Sequence, residues 1–398
     1  VLVSAGDMLG GSPYYWLIPE GEAPELTIMK QIGYDAITIG NHEFDSGPEM
    51  LAHYFRTAGY PGANATTALI SSNLRIPEGH PLADCGIMDT HVVVLDNGLR
   101  LGFFGLLGMG AAHLATKKTP IEISDPVAAA AAAVQALRAQ EVDIVIGLTH
   151  AGLEEDSAIA GAVPGIDILV TGHCHTTLTM PLQVGNTLLV QTGSNLRNLG
   201  MLELAYQPAT GTMRIRNEAN DRPFLLPIDD SIEIDSHVAR TIDGYTEQLN
   251  RLIDRLTGGI VKSIGDTILH SEYVLSAVPP LKESILGNFV TDAMRLMVEE
   301  KTGEKVDIAI QGNGLLRGNV VPGQSPHAKN KINFYDLLSA IGLGNGFDGN
   351  PGYPLASIYL TGSEIYRVLE YSTLLSQMYG NIFFLQLSGA RYSFDPAR

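Results

Sequence analysis

Basic residues are scarce in this chain. Against 43 aspartates and glutamates stand only 25 lysines and arginines, a formal net charge of −18. A general nucleic-acid binder needs a basic footprint, so that class is excluded. An anionic small substrate is not, because metal ions and a few local cations can reverse the potential inside one cleft. Cysteine is nearly absent: Cys85 and Cys174 are too few to indicate a redox compartment. Long apolar runs are missing too. The longest, Val127 to Val134, is nearly all alanine, too short to span a bilayer, and reads as a surface or core helix. There is no low-complexity tail and no internal repeat.

What is present is an ordinary globular composition, 45% hydrophobic and 7% aromatic, over 398 residues, long enough for two domains. One pattern recurs four times: a short apolar, β-branched run that stops in a polar residue. Val1–Gly6 ends in Asp7. Asp35–Gly40 ends in Asn41 and His42, with Asp45 following. Val142–Thr149 ends in His150. Ile166–Gly172 ends in His173, with His175 two residues on. Each run reads as a buried strand that delivers side chains at its C-terminal end, where ligands bind in open α/β sheets.

Helices are expected at Glu25–Ile32, ended by Gly33, from Pro48 to about Ala58, and from Ser124-Asp125-Pro126 to about Ala139. Asn97-Gly98 marks a hairpin between His91–Leu95 and Leu101–Leu106. Antiparallel strands are expected at Thr187–Gln191 and Met201–Tyr206. From Ser236 to about Leu256 apolar residues recur at helical spacing, up to Gly258-Gly259. Beyond it come a helix near Lys282–Lys301, strands at Val306–Ile310, Leu355–Leu360 and Phe383–Leu387, and a helix at Gly362–Leu375. Gly/Asn-rich loops lie at Gln311–Gly318 and Gly342–Gly352. Alternating strands and helices mean an α/β layered fold.

Two divalent ions about 3.5–4 Å apart can grip both the attacking and leaving oxygens of a displacement at phosphorus. Such a site needs a bridging carboxylate with imidazole and carbonyl ligands. Asp7 offers the carboxylate, Asn41 an amide oxygen, and His150, His173 and His175 ring nitrogens. These donors suit Zn²⁺, Mn²⁺, Fe or Co better than Ca²⁺. His42, with Asp45 close enough to bond its ring, is poised to protonate a leaving oxygen or to meet negative charge. Taken singly, Asp7 is equally a cap, Asn41 a turn residue, and His150 or His173 a satisfied buried histidine. The convergence of four strand ends favours the metal site. Cys174 is either a thiolate ligand or a small filler, and hard phosphate chemistry favours the filler.

Gly6-Asp7, Gly40-Asn41-His42-Glu43-Phe44-Asp45, Thr149-His150 and Gly172-His173-Cys174-His175 together resemble the calcineurin-like metallophosphoesterases, and within them the 5'-nucleotidase branch. Lys282–Met294, Arg317, Leu360-Thr361-Gly362 and Leu385–Tyr392 carry the likeness into the second half. The resemblance implies an N-terminal four-layer αββα metallophosphoesterase domain at 1–235, a linking helix at 236–257 and a smaller α/β substrate-binding domain at 258–398. It implies hydrolysis of phosphate monoesters, most simply nucleoside 5'-monophosphates, by a metal-bound hydroxide at a dinuclear centre of Zn, Mn or Co. A cyclic-nucleotide, nucleotide-sugar or non-nucleotide esterase is the enzymatic alternative, and a non-catalytic binding module the alternative from another class.

By the same resemblance Asp7 bridges two metals. Asn41, His150 and His173 complete one shell, His175 serves the other, and His42 with Asp45 stabilises the transition state. Arg317 contacts substrate phosphate or carboxylate-like groups. Lys282 stands where the family often has a phosphate-binding arginine, keeping charge but losing the bidentate fork. Leu343 stands at the usual base-stacking phenylalanine, and Gly312-Asn313-Gly314 departs from the usual Asn-Gly-Gly spacing. The family's Asp-x-His block would precede Val1 and its Gly-Gly-Asp-Gly segment would follow Arg398, so both domains are expected to be incomplete at those ends. A periplasmic or extracellular location is implied; oligomeric state is left open.

Overall fold

A computed structural model describes all residues except 63–65, 278–280, 343, 345, 347–349 and 396–398. The chain forms two units, Val1–Tyr245 and Thr246–Arg398. The boundary falls within the helix Ser236–Leu256. The secondary structure is mixed α/β, as the alternation of patterns requires. Among the described residues no helix is long and apolar enough to cross a membrane.

In the first unit two sheets lie face to face. The smaller joins Val3–Ser4, Ala36–Thr38 and Ala68–Ile70, all parallel. The larger has six strands in the order Leu182–Val184, Thr187–Val190, Ile168–Thr171, Ile144–His150, Arg100–Leu107, Thr90–Val94. Ala36, Ile70, Phe103, Ile146, Leu148 and Ile168 form the layer between the sheets. On the far side of the larger sheet the alanine-rich helix Pro126–Ala139 and the helix Leu153–Ala162 bury Ala130, Val134, Leu137 and Ile159 against Phe104, Val145 and Leu169. Small alanines let that helix sit close to the strands. Proline starts three of the unit's helices, at Pro24, Pro48 and Pro126, where its missing N–H costs nothing. The Asp125 carboxylate caps the last of these by accepting from the Ala128 N–H.

The two sheets approach so closely at Gly105 that a Cβ there would lie 2.2 Å from the Ile70 carbonyl oxygen and 2.6 Å from Thr38 Oγ1. Asn73 fastens the same seam. Its amide accepts from the Leu107 N–H and donates to the Leu107 carbonyl, as a strand neighbour would. Gly105→Ala should therefore force the sheets apart and cost about 3 kcal/mol, the upper range for overpacking. A lowered denaturation midpoint checks this; an unchanged one would mean the sheets part freely.

Two expectations need correction. Thr187–Val190 pairs parallel with Ile168–Thr171, and only its other neighbour, Leu182–Val184, runs antiparallel. Leu182–Val184 is the edge strand of the sheet, so Thr187–Val190 keeps Ile168–Thr171 as its parallel inner neighbour. The run Leu355–Leu360 is not a strand: all six residues are exposed and belong to no ladder. Its apolar side chains satisfy a strand pattern, but a strand exists only where a neighbour supplies hydrogen bonds.

The second unit packs Leu275, Leu286, Leu316, Val320, Ile332 and Ala340 into its own core. Ser284 caps the helix Ile285–Thr302, its hydroxyl accepting from the Gly287 N–H. Ala309–Gly312 pairs antiparallel with Leu385–Ser388. From that strand the buried Gln386 accepts the Ser284 N–H and donates to the Lys282 carbonyl and to Asn313 Oδ1. One amide thus ties together the loops that carry Lys282 and Asn313.

Candidate metal centre

The strand ends of the first unit converge. Asp7 follows Val3–Ser4, Asn41 and His42 follow Ala36–Thr38, His150 closes Ile144–His150, and His173 follows Ile168–Thr171. Parallel strands place all their C-terminal ends at one edge, so four distant stretches of sequence meet there. Asp7 Oδ2 lies 3.0 Å from His150 Nε2. His173 Nδ1 lies 3.1 Å from Asn41 Oδ1. The rings of His150 and His173 stand edge to face, 5.2 Å apart. His42 Nδ1 meets Asp45 Oδ2 at 2.7 Å, and the His42 backbone N–H donates to Asp7 Oδ1 at 2.9 Å.

Backbone strain marks the same places. Asp7, His173 and His175 all adopt positive φ, at +55°, +74° and +57°. A non-glycine residue held there costs about 1–3 kcal/mol, and such strain gathers at functional sites. Glycines make room around these residues. A Cβ on Gly172 would lie 2.9 Å from His150 Nδ1, and one on Gly10 would lie 3.1 Å from Asp45 Oδ2.

Electrostatics follow from the pairing. Burial opposes ionisation of Asp7, yet the adjacent His150 outweighs it and holds the carboxyl well below the usual range. Burial likewise opposes the His150 imidazolium, but the Asp7 charge, its contact and the Ala5 carbonyl push the group up to about 9. His173 goes the other way, down to about 4, through burial and then repulsion from His150.

Could these residues hold a cation? The His150 Nδ1 sits 2.8 Å from the Ala5 carbonyl oxygen and donates to it, which directs Nε2 toward Asp7, where loss of its proton would free a lone pair. That Nε2 is buried and has no hydrogen-bond partner; its 3.0 Å approach to Asp7 Oδ2 lacks hydrogen-bond alignment. An imidazole nitrogen and a carboxylate oxygen this close suit a shared cation, which would take the place of the His150 proton. Among the described residues no group of three or more His, Cys, Asp or Glu forms a metal-holding cluster by itself. Asn41 adds an amide oxygen beside His173. The set fits the group, as nitrogen and oxygen ligands suited to Zn²⁺ or Mn²⁺.

His175 is exposed and contributes to the field around His173. Cys174 is exposed, with its sulfur 3.3 Å from the Leu153 N–H and 3.1 Å from Thr176 Oγ1. Lys282 and Arg317 are exposed in the second unit; the Arg317 backbone N–H donates to the Ala340 carbonyl. Leu343 lies outside the described residues. Sequence reasoning assigned no role to Glu43, which is buried and accepts three backbone N–H groups of this edge. Its only signal was its place inside the Asn-His-Glu-Phe-Asp block.

Residues 268–398 match the family model for the 5'-nucleotidase C-terminal domain. The full chain aligns with a 5'-nucleotidase of Diplobatis ommata, 25% identical over 100% of this chain and 67% of that protein. The chain is thus similar to 5'-nucleotidases along its whole length, and its second half carries their C-terminal domain. It is also 26% identical to the trifunctional nucleotide phosphoesterase protein of Bacillus subtilis, over 99% of this chain but only 26% of that much longer relative. The chain therefore spans about a quarter of that relative's length. The fold is shared with a 5'-nucleotidase precursor from Thermus thermophilus, at a TM-score of 0.75 and 23% identity, covering 100% of this chain and 73% of that one.

Proposed function

We propose that the chain is a metal-dependent phosphomonoesterase whose substrates are nucleoside 5'-monophosphates. The observation that carries this is the meeting of Asp7, Asn41, His150 and His173 at one sheet edge, with the His42–Asp45 pair alongside. Asp7 would bridge two cations, Asn41, His150 and His173 would complete one shell, and His175 would serve the other. Bound divalent ions lower the pKa of water and draw charge from phosphoryl oxygens. Asp45 holds the His42 ring through Nδ1, so the ring meets the charge that develops on phosphorus with its other nitrogen. Arg317, Lys282 and Leu343 are assigned to the substrate by family likeness. Residues 1–235 form the metallophosphoesterase domain, 236–257 its linking helix and 258–398 the substrate-binding domain. The likeness also supports a location outside the cytoplasm.

A cation titration tests the reading. Zn²⁺ or Mn²⁺ should bind at two equivalents per chain, releasing protons from the Asp7–His150 pair, as calorimetry in buffers of different ionisation heat detects. Phosphate release from nucleotides and sugar phosphates should then follow with Mn²⁺, Zn²⁺ and Co²⁺ supplied in turn. No bound cation would leave a non-catalytic module. The description of the Bacillus relative as a trifunctional nucleotide phosphoesterase keeps other nucleotide esters in the screen.

A further inference from the structure

Asp7 is held where its backbone does not relax by itself. Its φ is +55°, it follows Gly6 at +90°, and its side chain must still reach His150 on one oxygen and the His42 N–H on the other. The restraint comes from a second carboxylate. Oε2 of Glu43 accepts the Asp7 N–H at 3.0 Å and the Gly40 N–H at 2.6 Å, and Oε1 accepts the Leu9 N–H at 3.1 Å. Glu43 is 1% exposed. A carboxylate buried this deeply and bound by three backbone donors acts as a staple between two loops, one carrying Asp7 and the other Asn41.

We propose that Glu43 is the positioning residue of the cation site, clamping the Gly6–Leu9 turn to Gly40 so that the Asp7 carboxylate is presented to the cations in its strained conformation. This rests on Asp7 being a cation ligand. Glutamine cannot replace it, because an amide accepts on one atom only and would turn its NH₂ toward a backbone N–H. Aspartate keeps both oxygens but stands one methylene short.

The test is a Zn²⁺ and Mn²⁺ titration of the 398-residue chain beside Glu43→Gln and Glu43→Asp, with the melting of each cation-free protein followed by circular dichroism. Glu43→Gln should bind cations about 10–100-fold more weakly. Its kcat on p-nitrophenyl phosphate should fall with little change in KM. A residue that merely stabilises the fold would move the melting point and leave the affinity of the folded protein alone. In the Asp7→Asn background Glu43→Gln should add nothing to the loss of affinity, since both act through one carboxylate. If Glu43→Gln does not fold, Glu43→Asp is judged by the same comparison. Wild-type cation affinity in a folded Glu43 variant overturns the clamp alone. A wild-type chain that binds no cation overturns the metal reading and the clamp with it.

Discussion

Gly40→Ala should remove cation binding and phosphatase activity together while leaving most of the fold in place. A Cβ at this position would lie 2.2 Å from Asp7 Oδ1, 2.8 Å from the Asp7 backbone nitrogen and 2.9 Å from Asp7 Cγ. Ordinary carbon contacts begin near 3.5 Å. The aspartate must therefore retreat by about 1 Å, and it cannot swing aside. Its backbone is held by Glu43 and its side chain by the His42 N–H and by His150. A misplacement of about 1 Å at a reacting centre costs on the order of 10²-fold. Here the displaced group is the proposed bridge, so cation affinity should fall as well. Parallel measurement of metal content and far-UV circular dichroism checks this. A folded Gly40→Ala protein with full cation content would show that Asp7 does not hold the metals.

His42→Ala should lower turnover by about 10²–10³ with cations retained, the usual effect of losing one preorganised stabiliser of transition-state charge. Asp45 holds the ring at Nδ1 and Asp7 holds the residue's backbone N–H. A ring held in this way loses no motion at the moment of reaction, which is what makes such a group effective. Asp45→Asn, which keeps the shape but not the charge opposite Nδ1, should give a smaller loss. Turnover that survives His42→Ala intact removes the residue from the mechanism; a loss of bound metal would make it a ligand instead.

Much of this was open to reading in one dimension. The strands that feed the site are short, apolar and β-branched, and each stops at glycine or at the polar residue itself, so their ends are visible as composition changes. The helix starts at Pro48 and Pro126 are equally local, since a proline's fixed φ acts on its own backbone. Ser236–Leu256 was legible because its apolar positions keep one helical period throughout. Local chemistry fails where the outcome depends on a partner. Leu355–Leu360 has the apolar content of a strand, yet no described residue pairs with it.

By itself, then, the order of residues determined which side chains arrive at strand ends and that those ends carry acid, amide and imidazole. Only the folded chain decided that they meet. Val3–Ser4 and Ile144–His150 belong to different sheets, and the contact between Asp7 and His150 spans them. Closing that gap takes a glycine-tight packing of the two sheets at Gly105, a left-handed turn at Asp7 and a buried glutamate to hold it. None of these has a sequence period: the packing and the glutamate's bonds join atoms far apart along the chain, and the strained turn persists only where they hold it.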